Sequence, residues 1–274
     1  MKKSLLVIAL ASATTFASAQ DMNSKRGTPI LPEPGDYSIG IDAVPFLEYF
    51  GNLMNGSNSA PSFDFKTSPF VISGLYVKDA NTAYRGKLRL GFGSNTVNYA
   101  TENDATTADP NDQSFDEVKS GGKSIFIGGG LQKTRGKHRL HGIYGGEALI
   151  GLQSSKTEHS FANAFSATNP APSTGIPGQP SNGDPRTTEV KSGGEFSFTL
   201  RAFVGVEYFF APKMSVSGEF GWGLGLVSQA EGEQTTESFD GTTVKSVTTK
   251  TGKSSSFGID TDNSGGSINL NFYF

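Results

Sequence analysis

Ten ionisable residues stand at alternate positions within segments whose other side chains are mostly apolar or small. They are five acids, Asp42, Glu48, Glu147, Glu207 and Glu219, and five bases, Arg85, Lys87, Arg89, Arg139 and Arg201. Equal numbers favour mutual salt bridges in a closed interior, because a buried charge without a partner is costly. If the same charges were unpaired, they would line a hydrated pore. Arg201 is the expected centre of the network because its planar guanidinium suits multiple carboxylates. Its candidate partners are Glu207, Glu147 and Glu219.

Two acidic segments resemble cation sites without completing one. The run from Asp260 to Gly265 is similar to the start of a calcium loop, but Asn271 stands where the bidentate Glu is needed. A second group could hold a cation, although a solvated loop is the stronger interpretation: Asp104, Asp109, Asp112, Asp116 and Glu117. The sequence therefore predicts no metal site and no cofactor.

The N-terminus predicts the compartment. Lys2 and Lys3 precede an apolar stretch, and Ala17-Ser18-Ala19 has the pattern of a cleavage site, so residues 1–19 are predicted to be a removed secretory signal. Their removal changes the net charge from −3 to −5, which gives no indication of a nucleic-acid partner. The chain has no cysteine, which excludes disulfides and thiolate chemistry.

Period-two alternation of apolar and polar residues predicts an all-β chain of eight strands. The predicted strands are residues 37–49, 69–78, 83–94, 123–133, 138–153, 195–210, 214–227 and 266–274. Short turns, near 79–81, 135–137 and 211–212, alternate with long polar connections, about 50–68, 95–122, 154–194 and 228–265. In the last connection, Asp240-Gly241 between Thr- and Val-rich segments predicts a hairpin tip. This sorting of connections is typical of a closed antiparallel up-and-down transmembrane β-barrel with long extracellular loops.

One face of the last four predicted strands lacks charge altogether. The alternate positions from Leu140 to Leu152, Phe196 to Phe210, Val216 to Leu226 and Ile268 to Phe274 number 25, and none is charged. Charged residues make up 18% of the chain, and the opposite faces of these strands carry several of them. Lys or Arg facing lipid at the bilayer midplane costs roughly 2–4 kcal/mol, so this face is predicted to contact hydrocarbon.

The signal, the eight strands, the asymmetric connections and the final strand ending in Phe274 resemble the small OmpA/OmpX-type eight-stranded outer-membrane β-barrel family. The resemblance implies residues 20–36 as a periplasmic N-terminal segment and 37–274 as a monomeric barrel in the cell outer membrane. It also implies Phe272 and Phe274 as part of the signal read by the barrel assembly machinery. The longer loops depart from the simplest members, so the role is not implied.

The expected function is structural or adhesive, with outer-membrane lipid around the barrel and the exposed loops available to an unidentified extracellular ligand. The alternative is a narrow or gated pore for small solutes, although an eight-stranded interior is only wide enough for its own side chains. A third alternative is an enzyme that modifies lipid A, for which His159 is the one histidine in a long loop. One loop histidine does not define a triad, so no enzyme activity is predicted.

Overall fold

Twelve antiparallel strands make up the computed structural model, which describes residues 23–24, 26–42, 72–104, 112–261 and 267–274. The strands are β1 (Tyr37–Asp42), β2 (Ile72–Asp79), β3 (Thr82–Glu102), β4 (Gln113–Lys137), β5 (Leu140–Ser160), β6 (Arg186–Lys191), β7 (Glu195–Ala211), β8 (Met214–Gln229), β9 (Glu233–Phe239), β10 (Val244–Lys250), β11 (Ser254–Thr261) and β12 (Ser267–Tyr273). Among the described residues no helix is long and apolar enough to cross a membrane. The prediction of an all-β chain is confirmed.

Eight of the strands pair into a closed ring in the order β1, β2, β3, β4, β5, β7, β8 and β12. The ring closes between the first and last strands, where Ser38 is in register with Tyr273. Just beyond that pair, Tyr37 and Phe274 exchange two backbone hydrogen bonds of 3.0 and 2.9 Å. Each ring strand is antiparallel to its neighbours, as the sequence predicts, and each corresponds to one of the eight predicted segments.

Two-residue turns join the ring strands at one end, at 80–81, 138–139 and 212–213. The second turn was expected near Arg135-Gly136-Lys137, but β4 continues to Lys137 and the turn falls on His138-Arg139. His138 and Lys213 take the left-handed conformation, with φ of 64° and 58°, within the second and third of these turns. This end is called the short-turn end below.

The long connections contain more strand than the sequence predicts. β3, β4 and β5 have 21, 25 and 21 residues, and β6 and β9 continue the directions of β7 and β8 beyond the ring. The β9–β10 hairpin has its tip at Asp240-Gly241, with φ of 94° at the glycine, as predicted. Gly232 lies where the chain passes from β8 to β9, and a Cβ there would stand 2.8 Å from the backbone nitrogen of Gly193. The β6–β7 connection at Gly193 and the β8–β9 connection at Gly232 therefore approach each other too closely for a side chain to fit between them.

Side chains alternate between the two faces of the ring. In the middle of the ring the outward positions are mostly apolar, and those predicted to lack charge point outward: exposed examples are Ile39, Leu90, Phe92, Ile127, Leu152, Leu200, Val206 and Leu224. Near the short-turn end the outward rings of Tyr37, Tyr76 and Tyr84 form a row, with centroids 4.9 and 6.2 Å apart. In the middle of the ring the inward positions carry buried charges, among them Lys87, Glu147 and Arg201. Outward charges lie on either side of this level, as at Lys133 and Arg135 on β4. We call the outward apolar positions the apolar belt.

Candidate functional site

The interior of the ring contains a group of five charged side chains that we call the ionic layer. It consists of Arg85 and Lys87 on β3, Glu147 on β5, Arg201 on β7 and Glu219 on β8. These are alternating inward positions of four strands, and the strand register brings Glu147 opposite Arg201. All five side chains are nearly fully buried.

Each carboxylate of the ionic layer contacts all three basic side chains. Glu147 lies 2.8 Å from Lys87 Nζ, 2.8 Å from Arg201 Nη1 and 3.4 Å from Arg85 Nε. Glu219 lies 2.8 Å from Arg85 Nη1, 3.0 Å from Arg201 Nη1 and 3.6 Å from Lys87 Nζ. The charges are therefore shared across the full width of the ring and close it at this level.

Neighbouring small and aromatic residues make room for the ionic layer. The guanidinium of Arg85 lies over the ring of Phe203, 4.0 Å from its centre, and Arg85 Nη1 also donates to Gln132. Gly221 on β8 faces Arg201, where a Cβ would come within 2.6 Å of the guanidinium carbon. The interior of an eight-stranded ring is just wide enough for its own side chains. The absence of a side chain at Gly221 on β8 therefore leaves the space that Arg201 occupies.

Glu207 lies outside the ionic layer, two inward positions beyond Phe203 toward the short-turn end. Its carboxylate accepts hydrogen bonds from the hydroxyl of Ser215, from Asn271 Nδ2 at 3.2 Å and from the Tyr273 hydroxyl at 2.8 Å. Asn271 also donates to Ser217 at 3.0 Å. These uncharged donors stabilise Glu207, so it is not the partner of Arg201 that the sequence allowed.

The N-terminal segment closes the short-turn end. Ile30 is 2% exposed and packs with Val77, Phe209 and Tyr273. Its carbonyl accepts from the backbone nitrogen of Lys213 at 3.0 Å, and the Lys213 ammonium pairs with Asp36. We call residues 26–36 the stopper, because they place an apolar cluster below Glu207.

A cavity of about 1100 Å³ lies on the opposite side of the ionic layer, toward the long connections. Its inward-facing lining includes Arg89, Ser124, Gln153, Glu195 and Gln229. Gln153 donates to Glu195 at 2.9 Å. The apolar side chains of Ile72, Leu88, Leu90 and Phe92 also line it. We call this cavity the vestibule.

The remaining predicted members of the charge network lie elsewhere. Arg89 lies on the vestibule side of the ionic layer, 5.9 Å from the ring centre of Phe126. Arg139 occupies the β4–β5 turn and donates to the carbonyl of Phe210 at 3.2 Å. Glu48 and the side chain of Asp42 lie outside the described residues.

The two predicted signal residues lie at the end of the chain. Phe272 faces outward and is half-buried, whereas Phe274 is 65% exposed beside the seam between β1 and β12. Asn271 and Tyr273, on the opposite face, are buried. The alternation predicted for this strand is therefore present in the structure.

Residues 161–185 fold over the ends of β3 to β5 that are farthest from the short-turn end. Acidic residues that were predicted to lie in a solvated loop hold them there. Asp116 is 0% exposed and accepts from Ala162 N at 2.8 Å, Thr174 Oγ1 at 2.7 Å and Gly175 N at 2.9 Å. The expectation of a solvated acidic loop is wrong for Asp116, because its carboxylate accepts hydrogen bonds from three donors of residues 161–185 instead of from water. We call residues 161–185 the cap.

A second acid holds the far part of the cap. Asp104 accepts from Asn169 Nδ2 at 2.7 Å and from Ser173 N at 2.8 Å. Burial raises the pKa of Asp104, but these hydrogen bonds and the charge of Arg186 outweigh it and hold the pKa below its ordinary value.

Arg186 anchors the base of the cap, a role that its local sequence does not predict. Its guanidinium lies 3.9 Å from the ring centre of Phe161 and 4.7 Å from that of Phe165, and its Nε pairs with Glu237 at 2.7 Å. The sequence signal was an arginine between two turn-rich polar segments, which does not distinguish a buried base from a surface one.

His159, the candidate base of the enzyme alternative, stacks on Phe161 with centroids 6.4 Å apart. Within the described residues its imidazole makes no hydrogen bond to a serine or to an acidic side chain. In the same part of the chain, no group of three or more His, Asp or Glu side chains is placed to hold a metal ion.

Comparison with known proteins gives no match: no protein-family model, no curated protein and no solved structure is significantly similar to this chain.

Proposed function

We propose that this chain is a bacterial outer-membrane β-barrel protein, of the kind represented by the small OmpA/OmpX-type eight-stranded barrels, with a structural or adhesive role. In this proposal the ring crosses the membrane, the short-turn end faces the periplasm and the long connections face outward. The role is exerted by anchoring in the envelope and by the surfaces beyond the membrane.

The apolar belt is the observation that carries this proposal. Outward Leu, Ile, Val and Phe side chains surround the middle of the ring, whereas the charged side chains of the ionic layer at that level point into it. A water-soluble protein rarely exposes such a large contiguous apolar surface, and burial in hydrocarbon removes its cost. At the level where β1 pairs with β12, the described strands leave no unpaired backbone edge to face lipid.

The closed interior favours a structural role over transport. The ionic layer spans the ring, and the stopper adds a second, apolar obstruction at the short-turn end. The vestibule favours the alternative of a gated pore, since it would admit polar solutes as far as the ionic layer. Passage beyond that level would require several buried ion pairs to separate together.

The cap and the β9–β10 hairpin support an interaction role at the outer end. The cap is fixed by Asp104, Asp116 and Arg186, so it presents a defined surface. All seven residues of β10 are exposed. Preformed surfaces bind partners without the entropic cost of ordering a loop.

Two measurements test the proposal. A closed barrel resists detergent, so unboiled protein should migrate differently from boiled protein in a detergent gel, with a β-type circular dichroism spectrum. Identical migration and a helical spectrum would rule out the barrel. Proteoliposomes should show no steady conductance, and open-pore conductance of the unmutated protein would replace the structural role by transport.

A further inference from the structure

The short-turn end of the ring is strongly basic. In the described part of the chain, the residues around the short turns and the stopper include seven bases, Arg26, Lys78, Lys133, Arg135, Lys137, Arg139 and Lys213. The acids there are Glu33, Asp36 and Asp79. Because the whole chain carries a net charge of −3, this end is opposite in sign to the molecule.

Three of these bases continue the apolar belt along a single strand. Ile127 and Leu131 face outward on β4, and Lys133, Arg135 and Lys137 follow at the next alternate positions of the same face. Successive side chains on one face of a strand lie about 6.6 Å apart. The first charged side chain, Lys133, therefore lies one outward position beyond the last apolar side chain, Leu131.

The level of these bases is marked by aromatic residues. Lys133 is in register with Tyr144 on β5 and with Thr82 on β3, whose hydroxyl accepts from Lys133 Nζ at 2.7 Å. On β2, Lys78 follows Tyr76 on the outward face, and its ammonium lies 5.8 Å from the ring centre of Tyr84. Tyr and Lys at one level are typical of the boundary between hydrocarbon and headgroups.

The acidic residues of the short-turn end do not form ion pairs with its outermost bases. Asp36 pairs with Lys213, and Asp79 accepts from the backbone of Asn81 in the β2–β3 turn near Lys78 and Lys133. Arg135 and Lys137 are exposed and form no ion pair with any other described residue. Their charges point away from the ring at the level where lipid phosphates would lie.

We propose that the β4–β5 hairpin binds the headgroups of anionic phospholipids through Arg135 and Lys137, with Lys133 and Lys78 at the hydrocarbon boundary. This inference rests on the proposed membrane-spanning function. Phosphate suits the site because arginine donates two parallel hydrogen bonds to it and lysine supplies a point charge. A lipid is favoured over a soluble polyanion because the bases occupy the outward face that the apolar belt defines.

The test uses the full chain in phosphatidylcholine vesicles with trace spin-labelled phosphatidylglycerol or spin-labelled phosphatidylcholine. The fraction of motionally restricted label gives the selectivity of the protein for the anionic lipid. The unmutated protein should select phosphatidylglycerol. In Arg135→Gln/Lys137→Gln the selectivity should fall by up to about fivefold for each charge removed, and high salt should reduce it in the unmutated protein.

Lys245→Gln/Lys250→Gln is the matched control, because it removes the same charge from exposed positions of β10 at the other end. It should keep the selectivity of the unmutated protein. Gel mobility of unboiled samples verifies that each variant is folded. Unchanged selectivity in the first variant, or an equal loss in the control, would overturn the inference. If the inserted unmutated protein shows no selectivity, only this inference fails, whereas failure to enter any bilayer overturns the proposed function as well.

Discussion

The two carboxylates of the ionic layer serve three bases at once. Glu147 and Glu219 each lie within 3.6 Å of Arg85, Lys87 and Arg201, so each charge has more than one partner. Charges coupled in this way respond to mutation as a group, and their individual effects do not add.

The first prediction concerns Arg201. Replacing Arg201 by Ala should lower the free energy of unfolding by roughly 3–5 kcal/mol, because it leaves two buried carboxylates with fewer donors. Combining Arg201→Ala with Glu147→Gln or with Glu219→Gln should cost less than the sum of the single changes. Urea unfolding of the folded gel band, followed for all variants, gives the coupling. Strictly additive losses for both acids would show that the charges are hydrated and unpaired.

The second prediction concerns the hydroxyl of Tyr273. Tyr273→Phe should cost about 1–3 kcal/mol, because the buried Oε1 of Glu207 loses one of its three hydrogen-bond donors. Tyr144→Phe deletes the same atom from an outward, exposed ring and should change stability little. Urea midpoints of the two variants make the comparison, and equal midpoints would contradict a specific role for the Tyr273 hydroxyl.

At the residue scale, the sequence predicted which charged side chains point into the ring. It did not predict which acid forms an ion pair with which base. Alternation places Glu147, Glu207 and Glu219 inward on three different strands, and only the register between strands decides which of them meets Arg201. Asp116 was missed for a different reason. An acid in a polar segment has the same local pattern whether it is solvated or buried under a later segment of the chain.

At the element scale, the cap depends on contacts with β4 that are distant in sequence. Asp116 joins Ala162, Thr174 and Gly175, so one carboxylate fixes the cap at both its beginning and its middle. The ring strands do not need these contacts for their own pairing. The cap can therefore be released while the ring stays closed.

The third prediction follows from that separation. Asp116→Ala should make residues 161–185 sensitive to protease, because three hydrogen-bond donors of the cap lose their buried acceptor. The loss should destabilise the docked cap by about 1–3 kcal/mol or more. The heat-dependent gel shift of the ring should remain. Glu117→Ala, on the opposite face of β4, is the control and should leave the cap resistant. A protease-resistant cap in Asp116→Ala would mean that packing around Arg186 holds it without the carboxylate.

The lengths of β3, β4 and β5 were underestimated for a physical reason. Alternation is visible in a sequence only where one face is apolar, as from Leu140 to Leu152 on β5. Beyond that point the strand continues to Ser160 with polar residues on both faces, and it is maintained by backbone pairing and by polar side-chain contacts such as the ion pair of Lys156 with Glu189. The β9–β10 hairpin was predictable because its tip has a Gly at a left-handed position.

At the scale of the whole molecule, the ring is completed by the last residues of the chain. The fourth prediction is that Phe274→Asp lowers the amount of folded protein in the outer membrane. The folded-state cost of a charge at the rim is only about 0–1 kcal/mol, so a large loss would arise during assembly. Quantifying folded and unfolded protein in membrane fractions measures it.

Phe92→Asp is the matched control for this prediction, since it places the same charge at an exposed position of the apolar belt near its other rim. It should retain more folded protein than Phe274→Asp. Equal losses in the two variants would show that Phe274 acts only as an apolar side chain and not as part of a recognition signal.

The stopper has a consequence for the order of events during biogenesis. Its central residue, Ile30, packs against Phe209 and Tyr273, and its carbonyl is held by Lys213, whose own carbonyl accepts from Tyr273. Residues near the beginning of the chain thus acquire their binding site only when residues from its final quarter have arrived. Until those residues are in place the stopper has no docking site, so under the proposed outer-membrane function it should be accessible to periplasmic proteases and chaperones. Protection of the stopper from protease should therefore report a late stage of folding, at which Phe209, Lys213 and Tyr273 have reached their final positions.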